Sequence, residues 1–158
     1  MKSTISIVFV LLFFTMGFSQ STGSFKNLTE AENGFIGINT TSPDAMLTVK
    51  GTIHTQEVNV DLDGAVAPDY VFETYFKGHS TLNPAYQFLS LEEIEHFVKV
   101  NHHLPKVPSA DEIASEGLSL KQLNLLLLEK IEELTLHTIE QQKQLEALTK
   151  RLEALENE

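Results

Sequence analysis

Four histidines, His79, His96, His102 and His103, gather near Glu92, Glu93 and Glu95 in the middle of the 158-residue chain. Imidazole and carboxylate together are the ligand types of a zinc site. Such sites use i,i+4 pairs on one helix face or ligands fixed by tight turns. Here His96 and His102 are six residues apart, and His102 and His103 are neighbours whose side chains diverge. The spacing argues against a metal. The pair reads instead as cationic groups facing the C-terminal dipole of a helix. A second acidic set, Glu129, Glu132, Glu133 and Glu140, follows an apolar stripe and is expected on the solvated outer face of a coil, not as general acids. There is no glycine-rich phosphate loop, no nucleophile elbow and no cysteine. These residues predict no catalytic centre, no cofactor and no metal.

The element that organises the chain is its last forty residues, Ser119 to Glu158. Leu120, Asn124, Leu127, Ile131, Leu134, Thr138, Gln141, Leu145, Leu148, Leu152 and Leu155 follow a strict alternation of three and four, and eight of these eleven are Leu or Ile. This is a heptad seam, with Asn124, Ile131, Thr138, Leu145 and Leu152 at a and the others at d. The last two heptads, LEALTKR and LEALENE, nearly repeat, and neither Pro nor Gly occurs after Gly117. A helix this long buries such a stripe only against another helix, and the chain offers no second one of comparable length. The pattern predicts an oligomer. Thr138 and Gln141 form a polar layer, with His137 beside them at g. That layer is read as register control; three Gln141 amides around an axis would also hold a water or an anion. Arg151 with Glu156 is the only good g-to-e pair, and Leu at both a and d leaves two and three strands open. A basic-zipper regulator is excluded, because Leu125 to Glu133 is apolar and acidic where a basic region is required.

Upstream, three capping boxes open three helices: Ser90 with Glu93, Ser109 with Glu112, and Ser119 with Gln122. The first runs to about Asn101, and the second stops at Gly117. Between them His103 to Pro108 reads as an extended connector with two prolines. Leu123 and Leu125 to Leu128 make the long helix apolar nearly all round at its start, so that end is expected beneath the short helices, and only the part after about Leu134 as free coil. Residues 63–89 read as an aromatic loop broken by Gly64, Gly78 and Pro84, its rings docking on the helices that follow. Residues 34–62 alternate, with Leu47, Val49, Gly51 and Ile53 in one phase and Val58, Val60 and Leu62 in the other. That predicts short strands with one buried face, a turn or bulge near Thr55 to Glu57, and close backbone approach at Gly51. So few strands do not stand alone, and copies from neighbouring chains are the obvious partners. Residues 20–33 read as a flexible linker. Asn27 to Thr29 and Asn39 to Thr41 match the glycosylation triplet, here read as chance. Residues 1–19 read as a signal peptide: Lys2 precedes the apolar run Ile5 to Phe14, and Gly17 and Ser19 place cleavage before Gln20. No further hydrophobic run of that length follows, so no membrane span is expected in the mature chain. The six segments are therefore 1–19, 20–33, 34–62, 63–89, 90–118 and 119–158. The fold class expected is α+β: a short β-strand stalk, a small helical head and a long C-terminal helix. The formal net charge of −11 argues against nucleic acid and anionic membranes as partners.

Gly37 to Pro43 (GINTTSP) and Leu47 to Ile53 (LTVKGTI) resemble the "GIGTTSP…L-V-G-I" segment of phage tail fibres and of secreted tail-fibre-domain proteins of Bacteroidetes. Asp69 to Phe72, Ser90 to Ile94, His103 to Pro105, Pro108 to Ala110, Glu116-Gly117, Leu120 to Leu128 and Lys130 to Leu136 are similar, block by block, to the C-terminal region of the same proteins. The layout is more distantly similar to the endosialidase-type intramolecular chaperone of tailspikes. The resemblance implies a parallel, trimeric coiled coil that assembles a β-stalk. The phage chaperone cuts itself off with a Lys-activated Ser in a Ser-Asp-x-x-x-Lys-like stretch. Ser42-Pro43-Asp44 and Ser80 are the nearest candidates, and neither has a suitably spaced basic residue, so cleavage is not carried over. The expectation is an exported structural or assembly protein, not an enzyme. It would be homo-oligomeric and located in the periplasm, at the cell surface or in the medium. The alternative is an extracellular adhesin-like module that binds a glycan, peptide or envelope partner through residues 70–88.

Overall fold

The computed structural model describes residues 27–157. The signal-peptide reading and most of the linker fall outside them. The described chain is α+β and divides into two compact units, one up to Val58 and one from Asn59.

The first unit is a three-stranded sheet in the order β1-β2-β3, with β1 Leu28–Glu30, β2 Ile36–Ile38 and β3 Leu47–Val49. β1 pairs antiparallel with β2, and β2 pairs parallel with β3. β1 lies inside the stretch expected to be a flexible linker. Its pairing with β2 closes a turn in which the Gly34 N–H donates to Ala31 O, with Gly34 at φ 79°. Gly37 and Thr48 are register partners and are buried together. The Thr48 hydroxyl donates to Asp44 Oδ1 at 2.7 Å and accepts the Asp44 N–H, fixing the turn before β3. A side chain at Gly37 would meet Thr40 O at 2.5 Å, so close approach occurs there, whereas the space around Gly51 is open. The expected buried phase is also reversed. Leu28, Ile38 and Val49 share a register line, as do Glu30, Ile36 and Leu47, and on that apolar face Leu28, Ile38 and Leu47 are exposed. No further strand forms at Ile53 to Leu62. Residues 51–64 are exposed throughout, and Ile53, Val58, Val60 and Leu62 are uncovered. Among the described residues of this unit no second layer buries this face, and strands so short do not stand alone.

The second unit holds four helices: α1 Tyr70–Lys77, α2 Leu91–Asn101, α3 Ala110–Glu116 and α4 Leu120–Glu156. α1 corrects the aromatic-loop reading. Pro68 and Asp69 precede it, and Gly78 ends it in the left-handed region with its N–H on Thr74 O. Both Ser90 and Ser109 form complete capping boxes; Ser119 accepts the Gln122 N–H at 3.4 Å without the return bond. The connector between α2 and α3 is not extended throughout. The Val107 N–H donates to Leu104 O, with Pro105 second and Lys106 third at φ 68°, the pattern of a type II turn. The core is Tyr70, Val71, Tyr86 and Leu136, with Phe72, Tyr75 and Phe88 packed on it. It therefore sits beside the middle of α4, with burial continuing to His137; the first turns, expected to be its deepest part, are only half-covered.

Candidate functional site

The seam is the first candidate. All eleven a and d positions are exposed, and the eight aliphatic ones keep 44–68 % of their surface. The face that α4 buries is the other one. Glu129 and Leu136 fall at f, Glu132 at b, Glu133 at c and His137 at g, and α1 with the Tyr86–Phe88 segment covers them. Leu136 is 0 % exposed and Glu129 is 2 % exposed. One helix thus carries two apolar or semi-apolar faces, and the described residues of its unit cover only one.

The covered face corrects the reading of Glu129, Glu132 and Glu133 as solvated; Glu140 is exposed as expected. Glu129 accepts from Tyr70 Oη at 2.5 Å, Lys106 Nζ at 2.8 Å and Lys130 Nζ at 3.1 Å. Glu133 accepts from Tyr86 Oη at 2.9 Å and Lys130 Nζ at 2.7 Å. The Tyr70 and Tyr86 rings lie 5.0 Å apart, and Lys106 sits 4.6 Å over the Tyr86 ring. Two carboxylates, two ammoniums and two phenols therefore satisfy one another where the head meets α4. Burial raises Glu129, but the Lys106, Tyr70 and Lys130 donors outweigh it and hold the carboxyl below its ordinary value. Burial, with Glu129 as the nearest anion for Tyr70 and Glu133 for Tyr86, pushes both phenols far up. They remain neutral donors.

Two buried groups stand apart from this network. Glu132 Oε2 has no hydrogen-bond partner, and burial followed by the charges of Asp69 and Glu129 raises its carboxyl. His137 stacks on Phe88 at 4.6 Å, and its Nε2 is unpartnered.

The other sequence candidates are dispersed. His79, His96 and His102 are exposed. His102 ends α2 at φ 61°, its backbone N–H on Val98 O, while His103 Nδ1 lies 3.0 Å from Leu104 O and its ring stands edge-on to Phe97. Among the described residues no three His, Cys, Asp or Glu side chains converge to hold a metal ion. Ser80 is buried, but its hydroxyl donates to Glu73 Oε2 at 2.6 Å and accepts the Leu82 and Asn83 N–H groups. It therefore pins the loop after α1. The Ser80 hydroxyl, with Lys77 next, holds Glu73 down to about 2. In the first unit, Asp44 is engaged by Thr48, whose hydroxyl lowers its carboxyl. No described helix is long and apolar enough to cross a membrane.

Comparison against protein-family models, curated proteins and solved structures finds no match for this chain.

Proposed function

We propose that this chain is an exported, non-catalytic assembly protein. In this reading three copies join in parallel through the α4 seam and bring their N-terminal β-segments together as a short fibre stalk. The observation that carries the reading is the exposed seam, intact over 36 residues from Leu120 to Leu155 on a helix whose opposite face is already used by the head. Burying an aliphatic side chain fully is worth about 1.5–3 kcal/mol, so covering the open half of eight of them in each copy supplies a substantial driving force. The uncovered apolar face of the sheet and the exposed residues 51–64 supply the feature that assembly would serve. A three-stranded coil and parallel orientation come from the resemblance to tail-fibre-domain proteins, and export through a cleaved signal peptide from the sequence pattern of residues 1–19. The periplasm, the cell surface and the medium are all compatible addresses.

The adhesin-like alternative needs free rings between residues 70 and 88. Tyr70 and Tyr86 are buried, Phe72, Tyr75 and Phe88 pack on the core, and only Phe76 among them is well exposed. The rings thus support the assembly reading. Sedimentation equilibrium on the chain from Gln20 tests it. The expected mass is three times that of one chain. A monomer overturns the proposal, and a dimer keeps the seam but removes the tail-fibre relation.

A further inference from the structure

The head does not cover α4 symmetrically about the seam. Lys130 and His137 occupy successive g positions, and both are covered by their own head: Lys130 retains 13 % side-chain exposure, and His137 lies under Phe88. The e flank at the same level, Leu128 and Thr135, is exposed. In a parallel coil the g flank of one helix faces the e flank of the next, five residues on, so Leu123 meets Leu128 and Lys130 meets Thr135 of the neighbouring copy. The flank composition follows the head. At its level g holds Leu123, Lys130 and His137 and e holds Lys121, Leu128 and Thr135; below it they are Gln144 and Arg151 at g and Gln142, Thr149 and Glu156 at e. Leucine occurs on these flanks only at the level of the head.

From this we infer that each head is also an inter-subunit clamp. It is held in cis on the outer face of its own helix, and its Tyr86–Phe88 edge closes in trans over the e flank, Leu128 and Thr135, of the next copy. The occupant of this surface is a second copy of the same chain, and the contact is continuous with the seam, so the inference rests on the coiled-coil reading above. Its consequence is a fixed sense of rotation: every head leans toward the neighbour on its g side, and each head stabilises the interface that gathers it.

The chain has no cysteine, which makes cross-linking unambiguous. Full-length chains carrying Gln87→Cys, exposed beside Phe88, are co-refolded with differently tagged chains carrying Thr135→Cys at e or Lys143→Cys at the outer f position, and treated with a short bismaleimide. Residues held side by side react at effective concentrations in the millimolar range, so the 87–135 hetero-product should form roughly tenfold faster than the 87–143 product. Equal rates for the two pairs in a sample that sediments as an oligomer overturn the clamp and leave the seam standing. A monomer overturns both.

Discussion

Glu129 and Glu132 sit three residues apart on one helix and have opposite effects on the fold. Glu129 is buried with three donors, so Glu129→Gln breaks a paired buried charge and leaves Lys130 facing the core edge. The expected loss is about 3 kcal/mol, read as a lower urea midpoint by circular dichroism. Glu132 is buried with one oxygen unpaired, and its nearest charges, Asp69 and Glu129, are of its own sign. Glu132→Gln should therefore stabilise the chain at neutral pH by on the order of 1 kcal/mol. The pH signs differ accordingly. The Glu129 carboxyl is lowered on folding, so its contribution is present above the unfolded value of about 4.3 and is lost as pH falls. The Glu132 carboxyl is raised, so its favourable contribution is present only in acid and is lost as pH rises through the folded value. The gain from Glu132→Gln should thus be seen at pH 7 and fade on titration toward pH ~4. A gain that persists in acid would mean that packing, not charge, decides this site.

The elements divide by how local their causes are. α2 and α3 were legible because a capping box spans four residues and needs nothing else, and both close as the sequence implies. α4 was legible because the heptad is written into one segment. α1 was missed because its Tyr, Val, Phe and Thr residues favour strands and its aromatics read as loop anchors. The signal was present in Pro68-Asp69 before it, and in Lys77 followed by Gly78 at its end. The buried glutamates were illegible for a different reason: positions b, c and f look solvated until a second element covers them, and that element was the missed helix. The strands failed for the same kind of reason. The alternation from Leu47 to Leu62 implies strands, yet only Leu47–Val49 forms one there, and which face is buried depends on what lies against it; among the described residues nothing covers the apolar face. Since α2 has no buried residue, its cap should matter locally. Ser90→Ala should cost about 1 kcal/mol of α2 helix stability, seen as faster amide exchange in Leu91 to Asn101 with the exchange of α4 amides unchanged. Ser119→Ala, removing one long bond at the start of a 37-residue helix, should change less.

At the scale of the whole molecule, the question is what sets the register of a seam made largely of Leu. The polar layer is unequal. Thr138 Oγ1 donates back to Leu134 O at 2.8 Å, so that hydroxyl is partnered within its own helix and enters an interface without demanding a partner. Gln141 is exposed and its side-chain amide makes no hydrogen bond among the described residues, so it needs partners from neighbouring copies if the seam closes as proposed. In the proposed parallel coil, in register, the Gln141 amides of the copies meet one another. A slip by one heptad sets Gln141 against Leu148 or Leu134 and strands a buried amide in each copy, at about 1–3 kcal/mol apiece. At the other d positions a heptad slip exchanges one Leu for another, and at a both Asn124 and Thr138 bond back to their own helix, so Gln141 carries the discrimination. Gln141→Leu should therefore raise the melting temperature while broadening the mass distribution in sedimentation velocity and native mass spectrometry. Thr138→Leu alone should leave a single species, and the double replacement should behave like Gln141→Leu. If the double variant sediments as one species of unchanged mass, register control by this layer is wrong and the head clamp becomes the remaining device that aligns the chains.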